Sequence, residues 1–563
     1  MIKIILFLCT ILSLNHAKAI ATLPLQQKDV KSFREWCEQK STLPKATKHT
    51  VEVLLKEVAT QDCQQADGKL RSLTQLSLTT KQISNLQPLA SLTNLTNLNL
   101  GGNKITDVKP LANLTNLTNL NLGGNQISDV KPLANLTNLT ELGFYSNQIS
   151  DVKSLSSLNK LTFLALGSNR IVDVKQFANF TNLTSLRLEE NQIRDIKPLS
   201  SLNNLTWLNL NDNQISNLQP LANLTKLNDL RLDKNQIGNL QPLSNLTNLR
   251  WLYLGKNQIG NLQPLSNLTD LQGLYLNKNQ IGNFKPLSSL TKLTRLDLNS
   301  NKIRDVKFLT NLTYLRWLDL SFNKISELKP LGNLTDLTTL KLNSNKISNV
   351  KQLANLTYLR WLNLRTNKIT DVKPLSRLNN LTRLSLNENQ ITDIKALSGL
   401  TNLNHLNLKK NQIRDIKQLS TLTNLTQLNL GKNQINNLQP LSNLTDLQAL
   451  DLGKTKINNL QPLATLTNLT WLNLEGNKIN DIKQLTNLTK LRWLNLSSNK
   501  IHDVKPLANL TKLIELNLNK NPINSKTCSV QSTKCNSTKL KNRTYRHGMF
   551  KSHFKQLQNF SHH

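Results

Sequence analysis

The sequence predicts an α/β solenoid, with one long parallel β-sheet on a concave face, short 3₁₀ or extended segments on a convex face, and a helical N-terminal cap. Three observations predict it. From about Leu70 to Pro522 one 22-residue unit repeats without insertion or deletion. An Asn returns in one slot of that unit, at Asn103, Asn125, Asn147, Asn169, Asn191 and Asn213, and onward to Asn499 and Asn521. A Leu-x-Leu pair precedes it, as in Leu98-Asn99-Leu100, with Phe144 as the second member before Asn147.

The chain begins with Lys3, an apolar run from Ile4 to Leu14, and the small-x-small triplet Ala17-Lys18-Ala19. That pattern predicts a signal peptide over 1–19 and an exported, extracellular or periplasmic protein. The run is too short for a bilayer, which needs about 20 apolar residues. No other long apolar segment follows, so no transmembrane segment is expected. Helical spacing over 20–70, from Phe33-Arg-Glu-Trp36-Cys37 through Leu54-Leu55-Lys-Glu-Val58, predicts a cap over the first coil. The repeats then fill 71–524 as about 21 coils, with Lys81 standing in the Asn slot of an imperfect first one. A C-terminal cap and basic tail are expected over 525–563.

Five cysteines are present, and Cys9 lies in the apolar leader. The other four form two pairs outside the repeats, Cys37 with Cys63 and Cys528 with Cys535. Export makes disulfides the expectation for both. By loop entropy they would contribute roughly 3.5 and roughly 2.5 kcal/mol.

Within a coil, Leu95, Leu98, Leu100, Ile105, Val108, Leu111 and Leu114 are the apolar positions. Leu98-Asn99-Leu100 alternates with period two and reads as a short strand. Its copy in the next coil must lie beside it, about 4.8 Å away, which makes a parallel ladder. The Asn that follows suits a tight bend, where its amide satisfies backbone groups. Thr455 is the one lapse between Asn103 and Asn521. On the other side, Asp107-Val-Lys109-Pro110 is too short and too Pro-broken for α-helix, so 3₁₀ turns are expected. Asp in that first slot goes with Lys two residues later (Asp107/Lys109, Asp195/Lys197), and Asn usually goes with Gln (Asn217/Gln219). This side reads as a solvated face whose charges balance one another.

The formal net charge is +36. Part of it is the tail, where Lys526, Lys534, Lys539, Lys541, Arg543, Arg546, Lys551 and Lys555 meet no acid. A basic surface attracts polyanions in general, but no specific nucleic-acid motif appears. By composition the tail reads as a disordered end; the alternative is peripheral contact with an envelope surface, since Phe550, Phe554, Leu557 and Phe560 recur at helical spacing.

The 22-residue unit resembles the leucine-rich repeats of bacterial internalin-like proteins, over roughly four-fifths of the chain. The resemblance implies a helical N-terminal cap and a recognition role. No immunoglobulin-like module and no Leu-Pro-x-Thr-Gly wall-sorting signal follow the repeats, so covalent wall attachment is not expected.

The slot before the first Leu of the Leu-x-Leu pair, as Asn97 before Leu98, points to the concave side. It holds Trp207, Trp251, Trp317, Trp361, Trp471 and Trp493, six of the seven Trp in the chain, and also Arg295 and Arg383. The slot two later adds Tyr253 and Tyr275, with Arg187, Arg231 and Lys341. Trp, Tyr and Arg dominate binding hot spots, so this row is the predicted ligand site. Packing along the ladder is the competing explanation. Lys234, Lys256 and Lys278 line one edge of the row, and Lys410, Lys432 and Lys454 line it further along.

Catalysis is not expected. The His residues lack metal-ligand spacing, no cofactor motif appears, and Glu189-Glu190 is expected to lack a pocket that would shift its ionisation. Asn-Leu-Thr, as at Asn94 and Asn113, belongs to the repeat consensus and is not read as a glycosylation signal. The expected function is recognition of a protein partner. A carbohydrate or anionic polymer ligand, or a role like the intracellular phosphatase regulators built from the same repeat class, are the alternatives.

Overall fold

The computed structural model describes residues 30–523, which fall into two compact units divided between Leu161 and Thr162. The predicted leader, the Cys528–Cys535 pair and the basic tail lie outside the described residues.

The first unit opens with three helices, α1 (Phe33–Glu38), α2 (Lys45–Glu57) and α3 (Cys63–Ser72). Ser32 caps α1 in a capping box with Glu35, and Asp62 caps α3 by accepting from Gln65 N. On α2, Thr47, Thr50, Val51, Leu54 and Leu55 are buried, the i, i+3, i+4 stripe of an amphipathic helix. Phe33, Ala66 and Leu70 complete this small core with no exposed surface. A Cys37–Cys63 disulfide joins α1 to α3 with Cα atoms 5.5 Å apart. The helices also answer the open end of the first coil. Thr50 Oγ1 donates to the Asn85 carbonyl at 2.7 Å, Asn85 Nδ2 donates to Thr47 Oγ1, and His49 Nε2 meets the Lys81 carbonyl at 2.7 Å. An uncapped end coil would leave those groups and its apolar edge to water.

Beyond α3 this unit carries strands Gln75–Ser77, Asn97–Asn99, Asn119–Asn121 and Glu141–Gly143, paired in parallel with Leu76, Leu98, Leu120 and Leu142 in register. The second unit carries strands of the same three-residue length from Phe163–Ala165 to Glu515–Asn517. Each pairs in parallel with the corresponding strand of the next coil, as Trp207 with Asp229 and Trp471 with Trp493. The side opposite the strands is built of 3₁₀ turns such as Lys109–Leu111 and Gln219–Leu221, as the Pro positions lead one to expect. Between strand and turn lie the repeating Leu, Ile and Val, almost all below 2% exposed. Phe177 and Phe180, edge to face at 5.5 Å, fill two Leu slots of the core.

The repeated Asn are buried or half-buried and work as staples. Asn257 donates to the carbonyl of Leu254 in its own coil at 3.1 Å and to that of Leu232 in the preceding coil at 2.9 Å. Its Oδ1 accepts the Ile237 amide of the preceding coil at 3.0 Å. One side chain thus serves three backbone groups where the chain turns inward and no water can reach them. The same triple recurs at Asn103, Asn213, Asn323 and Asn389. The residue before the Asn sits in the left-handed region in coil after coil, for example Lys234, Lys256 and Lys278 at φ near +56°. Such a conformation costs a non-glycine residue roughly 1–2 kcal/mol. The staple that follows holds it there.

The solvated side works differently from the charge balance expected of it. Asp107 Oδ1 accepts the Lys109 amide at 2.9 Å, and Asn217 Oδ1 accepts that of Gln219 at 2.9 Å. Both residue types close the same Asx turn into the 3₁₀ segment, which is why they interchange. Ion pairs between these slots close only loosely, at 3.6 Å in Asp173–Lys175 and Asp305–Lys307.

Thr455, fully buried, spends its hydroxyl on the Leu452 carbonyl at 2.7 Å. It has no second donor for Leu430 and no amide oxygen for the Ile435 N–H. Restoring the staple by Thr455→Asn is therefore expected to raise stability by about 1 kcal/mol, and removing one by Asn257→Ala to cost about 2–4 kcal/mol. Urea denaturation of the two variants checks both signs. An unchanged midpoint for Asn257→Ala would contradict the staple.

Candidate functional site: the open face of the strand ladder

Leu-x-Leu sends its leucines inward, so the residues beside them stand on the open face. The six strand Trp all lie there, half-buried rather than free, as do Tyr253 and Tyr275. Between Arg187 and Trp361 the side chains form one connected ridge. Arg187 lies over Trp207 at 4.9 Å and Arg231 lies over the same ring at 5.2 Å. Arg231 also reaches the Tyr253 ring at 4.7 Å, and Tyr253 stacks on Tyr275 at 4.4 Å and 7°. Tyr275 leans on Trp317 at 6.3 Å, and Lys341 stands 4.9 Å from Trp317 and 4.7 Å from Trp361. Each cation over an aromatic face contributes about 0.5–1 kcal/mol in such half-exposed settings.

Trp251, on the strand of Tyr253, lies beside this ridge over a glycine neighbour. A Cβ on Gly273 would fall 2.2 Å from Trp251 Cε3, so the indole lies where the next strand has no side chain. Arg295 then approaches the indole at 5.8 Å. Of the ten predicted ligand residues, the structure places Trp207, Tyr253, Tyr275, Trp317 and Trp361 in one ridge, with the Trp251–Arg295 pair on the same face beside it. Arg383 stands on the strand beside Trp361. Trp471 and Trp493 form a separate stacked pair at 4.7 Å, with Trp493 Nε1 donating to Glu515. The edge lysines divide as well. Lys234 is ion-paired with Asp212, Lys410 with Glu388 and Lys454 with Glu475.

The acidic part of the site was missed by sequence reasoning. Asp229 holds the Arg231 guanidinium with both oxygens, at 2.9 and 3.2 Å. Asp319 pairs with Lys341 at 3.8 Å. Glu189, Glu190, Asp212, Asp233, Tyr253 and Tyr275 are among the residues lining a groove of about 370 Å³. The expectation that Glu189-Glu190 has no pocket is therefore corrected, and burial pushes the Glu189 carboxyl up. The signal was present in the sequence: Asp occurs in the same strand slots as Trp, Tyr and Arg. Among the described residues, no group of His, Cys, Asp and Glu is arranged to hold a metal ion, and no helix is long and apolar enough to cross a membrane.

A family model described as leucine rich repeats (2 copies) matches residues 71–201, 247–311, 313–355, 357–443 and 489–527. A second, described as leucine rich repeat, matches 445–501. No curated protein matches the chain. Among solved structures, internalin F of Listeria monocytogenes is 31% identical, with 68% of this chain and 95% of that one covered and a TM-score of 0.40. A TDR receptor is 23% identical over 82% of this chain and 87% of its own, with a TM-score of 0.59. The Arabidopsis receptor kinase HAESA, solved with the peptide hormone IDA and the co-receptor SERK1, is 23% identical over 80% and 87%, with a TM-score of 0.56.

The buried acids make the ridge sensitive to pH. Burial pushes the Asp233 carboxyl up to about 6. Burial and the neighbouring Asp319 push Asp297 up to about 7. Both exceed the unfolded value of about 3.9, so their contribution is present below that value and is lost as pH rises through 6 to 7. His405 acts in the opposite sense, because burial and Arg383 lower it to about 4. Its contribution is lost only on acidification below about 6.5. Asp297 accepts the Asn299 amide at 3.0 Å, a bond that Asn makes in the same slot of other coils, as at Asn209. Asp297→Asn is therefore expected to stabilise the protein at pH 8 by about 1–3 kcal/mol, with the gain gone near pH 4. Thermal melting of wild type and variant across that range tests this, and a pH-independent difference would contradict it.

Proposed function

The chain belongs to the leucine-rich-repeat family and is internalin-like, and on that premise we propose a secreted or cell-surface scaffold that binds a protein partner and catalyses nothing. The observation that carries this reading is the connected ridge from Arg187 to Trp361. Leu fills the core and Asn satisfies the buried bends on the inner side, so neither core nor bend demands aromatic and cationic residues on the open face. Where the coil is plainest, as at Asn97, Asn99, Asn119 and Asn121, that face carries Asn.

The arrangement suits a protein better than a glycan. Trp207 has a guanidinium from each neighbouring cation, Arg187 and Arg231, and Tyr253 is stacked on Tyr275. Sugar rings need open aromatic faces, and these are engaged. Edges, guanidiniums and carboxylates remain, which is the mixture of aromatic anchors and polar groups typical of protein interfaces. HAESA, with the same fold, was solved with a peptide hormone and a co-receptor. Export fits the leader pattern and the Cys37–Cys63 disulfide.

Truncating a true anchor costs at least about 2 kcal/mol, or about thirtyfold in Kd. Trp251→Ala and Trp317→Ala, each followed by melting and by binding to a partner captured from culture medium and envelope fractions, are expected to lose affinity to that degree. Lowered melting with unchanged affinity would reduce the ridge to packing.

A further inference from the structure

Tyr314 and Tyr358 are 62% and 63% exposed, the most open aromatic rings among the described residues. They occupy one slot of the repeat, two coils apart. Most other coils put Asn in that slot, with Lys or Asp in the rest, as at Lys160, Lys226, Asp270 and Asp336, and where it is Asn the side chain is structural. Asn116 donates to the Thr93 carbonyl at 2.9 Å, Asn138 to Thr115, Asn204 to Thr181, Asn248 to Thr225 and Asn380 to Thr357. Tyr forfeits that bond between coils and adds exposed apolar surface. Lys and Asp forgo the bond as well but stay polar, so the exposed ring is what sets Tyr314 and Tyr358 apart and marks them for contact with something else.

Each Tyr is followed by the same three residues, Tyr314-Leu-Arg316-Trp317 and Tyr358-Leu-Arg360-Trp361. The leucines are buried; both arginines are exposed, and neither forms an ion pair among the described residues. Arg also displaces a structural residue, since Thr in its slot bonds back to the preceding coil, as Thr96 Oγ1 does to the Thr74 carbonyl at 3.0 Å. Lys341 stands between the two units and touches both Trp rings. The result is a duplicated flank of open Tyr, free guanidinium and fixed Trp, repeating every second coil.

That repeat has a length. Two coils at about 4.8 Å each give a period of about 9.6 Å. A polyproline II helix, rising about 3.1 Å per residue with three residues per turn, repeats every ~9.3 Å. The facing side chains of an extended β-strand repeat every ~6.7 Å, which does not match. Nor does an α-helix, whose pitch is about 5.4 Å. Polyproline II segments also characteristically dock against aromatic surfaces. Two unpaired guanidiniums at the same period call for a carboxylate on every third residue.

We propose that the Tyr314–Trp317 and Tyr358–Trp361 units together bind a proline-rich, acidic polypeptide segment in the polyproline II conformation, lying along the ladder. This rests on the protein-binding reading above and specifies its partner. Prolines seat against the open Tyr314 and Tyr358 rings, the Trp edges flank them, and acidic residues meet Arg316 and Arg360.

The test is fluorescence anisotropy with labelled peptides of four Pro-Pro-Glu triplets, titrated with the full chain. Pro-Pro-Gln and Gly-Ser-Glu peptides of equal length remove the charge or the conformation alone. The expected result is binding to Pro-Pro-Glu, weakened about tenfold or more in each control, given the typical weight of anchor contacts. The double variant Tyr314→Asn with Tyr358→Asn restores the structural slot residue, so it is expected to melt no lower than wild type while losing peptide affinity at least tenfold. Arg316→Thr with Arg360→Thr is expected to erase the preference for Glu over Gln. Equal binding of Pro-Pro-Glu and Gly-Ser-Glu would overturn the conformational claim. Equal binding of an acidic oligosaccharide would overturn the polypeptide claim. Wild-type affinity in the Tyr double variant would overturn the site. If no peptide binds but Trp251→Ala still weakens a partner from medium, this inference fails and the broader function stands.

Discussion

The buried asparagine amide is the interaction on which the rest of the molecule depends. Each coil must turn back on itself around an apolar interior, and its bends leave backbone groups where no water reaches. At Asn257 the amide satisfies carbonyls in two coils and an N–H in one of them. Aspartate lacks the donors and glutamine overshoots by a methylene. Because two of these bonds cross to the preceding coil, the side chain that completes one turn also registers it against its neighbour. Leucine burial drives the stack, and the amide fixes its phase. This local bonding between adjacent coils is what makes such a protein a one-dimensional assembly.

With the interior so provided for, the two outer surfaces are free to differ. One is spent on economy: Asp and Asn alternate in an Asx turn that needs only a carbonyl or carboxylate oxygen. The other varies from coil to coil, from Asn97 and Asn119 to Trp207 and Trp251. Its aromatic stretch also carries costs that a purely structural surface would not. Asp233 and Asp297 are buried enough to have their ionisation displaced toward neutral pH. Gly273 gives up a side chain so that an indole can lie beside it. Tyr314 and Tyr358 give up a bond between coils.

The fold was legible because its cause is periodic. A residue type recurring at one spacing reveals its job by what tolerates no change: Leu in the core, Asn at the bend. The aromatic slot was legible for the same reason, since six Trp in one slot declare a common face. Other features were hidden because they depend on neighbours one coil away rather than on local pattern. That Arg187 and Arg231 flank Trp207, or that Gly273 accommodates Trp251, follows only once the strands are in register. The Asp–Lys correlation misled for the converse reason. It is a regularity in sequence whose cause is a backbone turn, and the lysine has little part in it. Glu189 looked solvent-bathed in sequence because its burial comes from adjacent coils.

The central claim is that the Asn amide oxygen, rather than burial alone, protects the inward bend of each coil it faces. Native-state amide exchange on the unmodified protein addresses it directly. The Ile237, Ile369, Ile391 and Ile413 amides each donate to an Asn oxygen at 3.0–3.1 Å. The Ile435 amide lies opposite Thr455, which offers no such oxygen, yet Ile435 is only 3% exposed. The account predicts slow exchange at the first four and exchange faster by about tenfold or more at Ile435, as expected for the loss of about 1.4 kcal/mol of local protection. Exchange at Ile435 as slow as at Ile413 would show that burial suffices, and the staple would lose its place as the organising interaction.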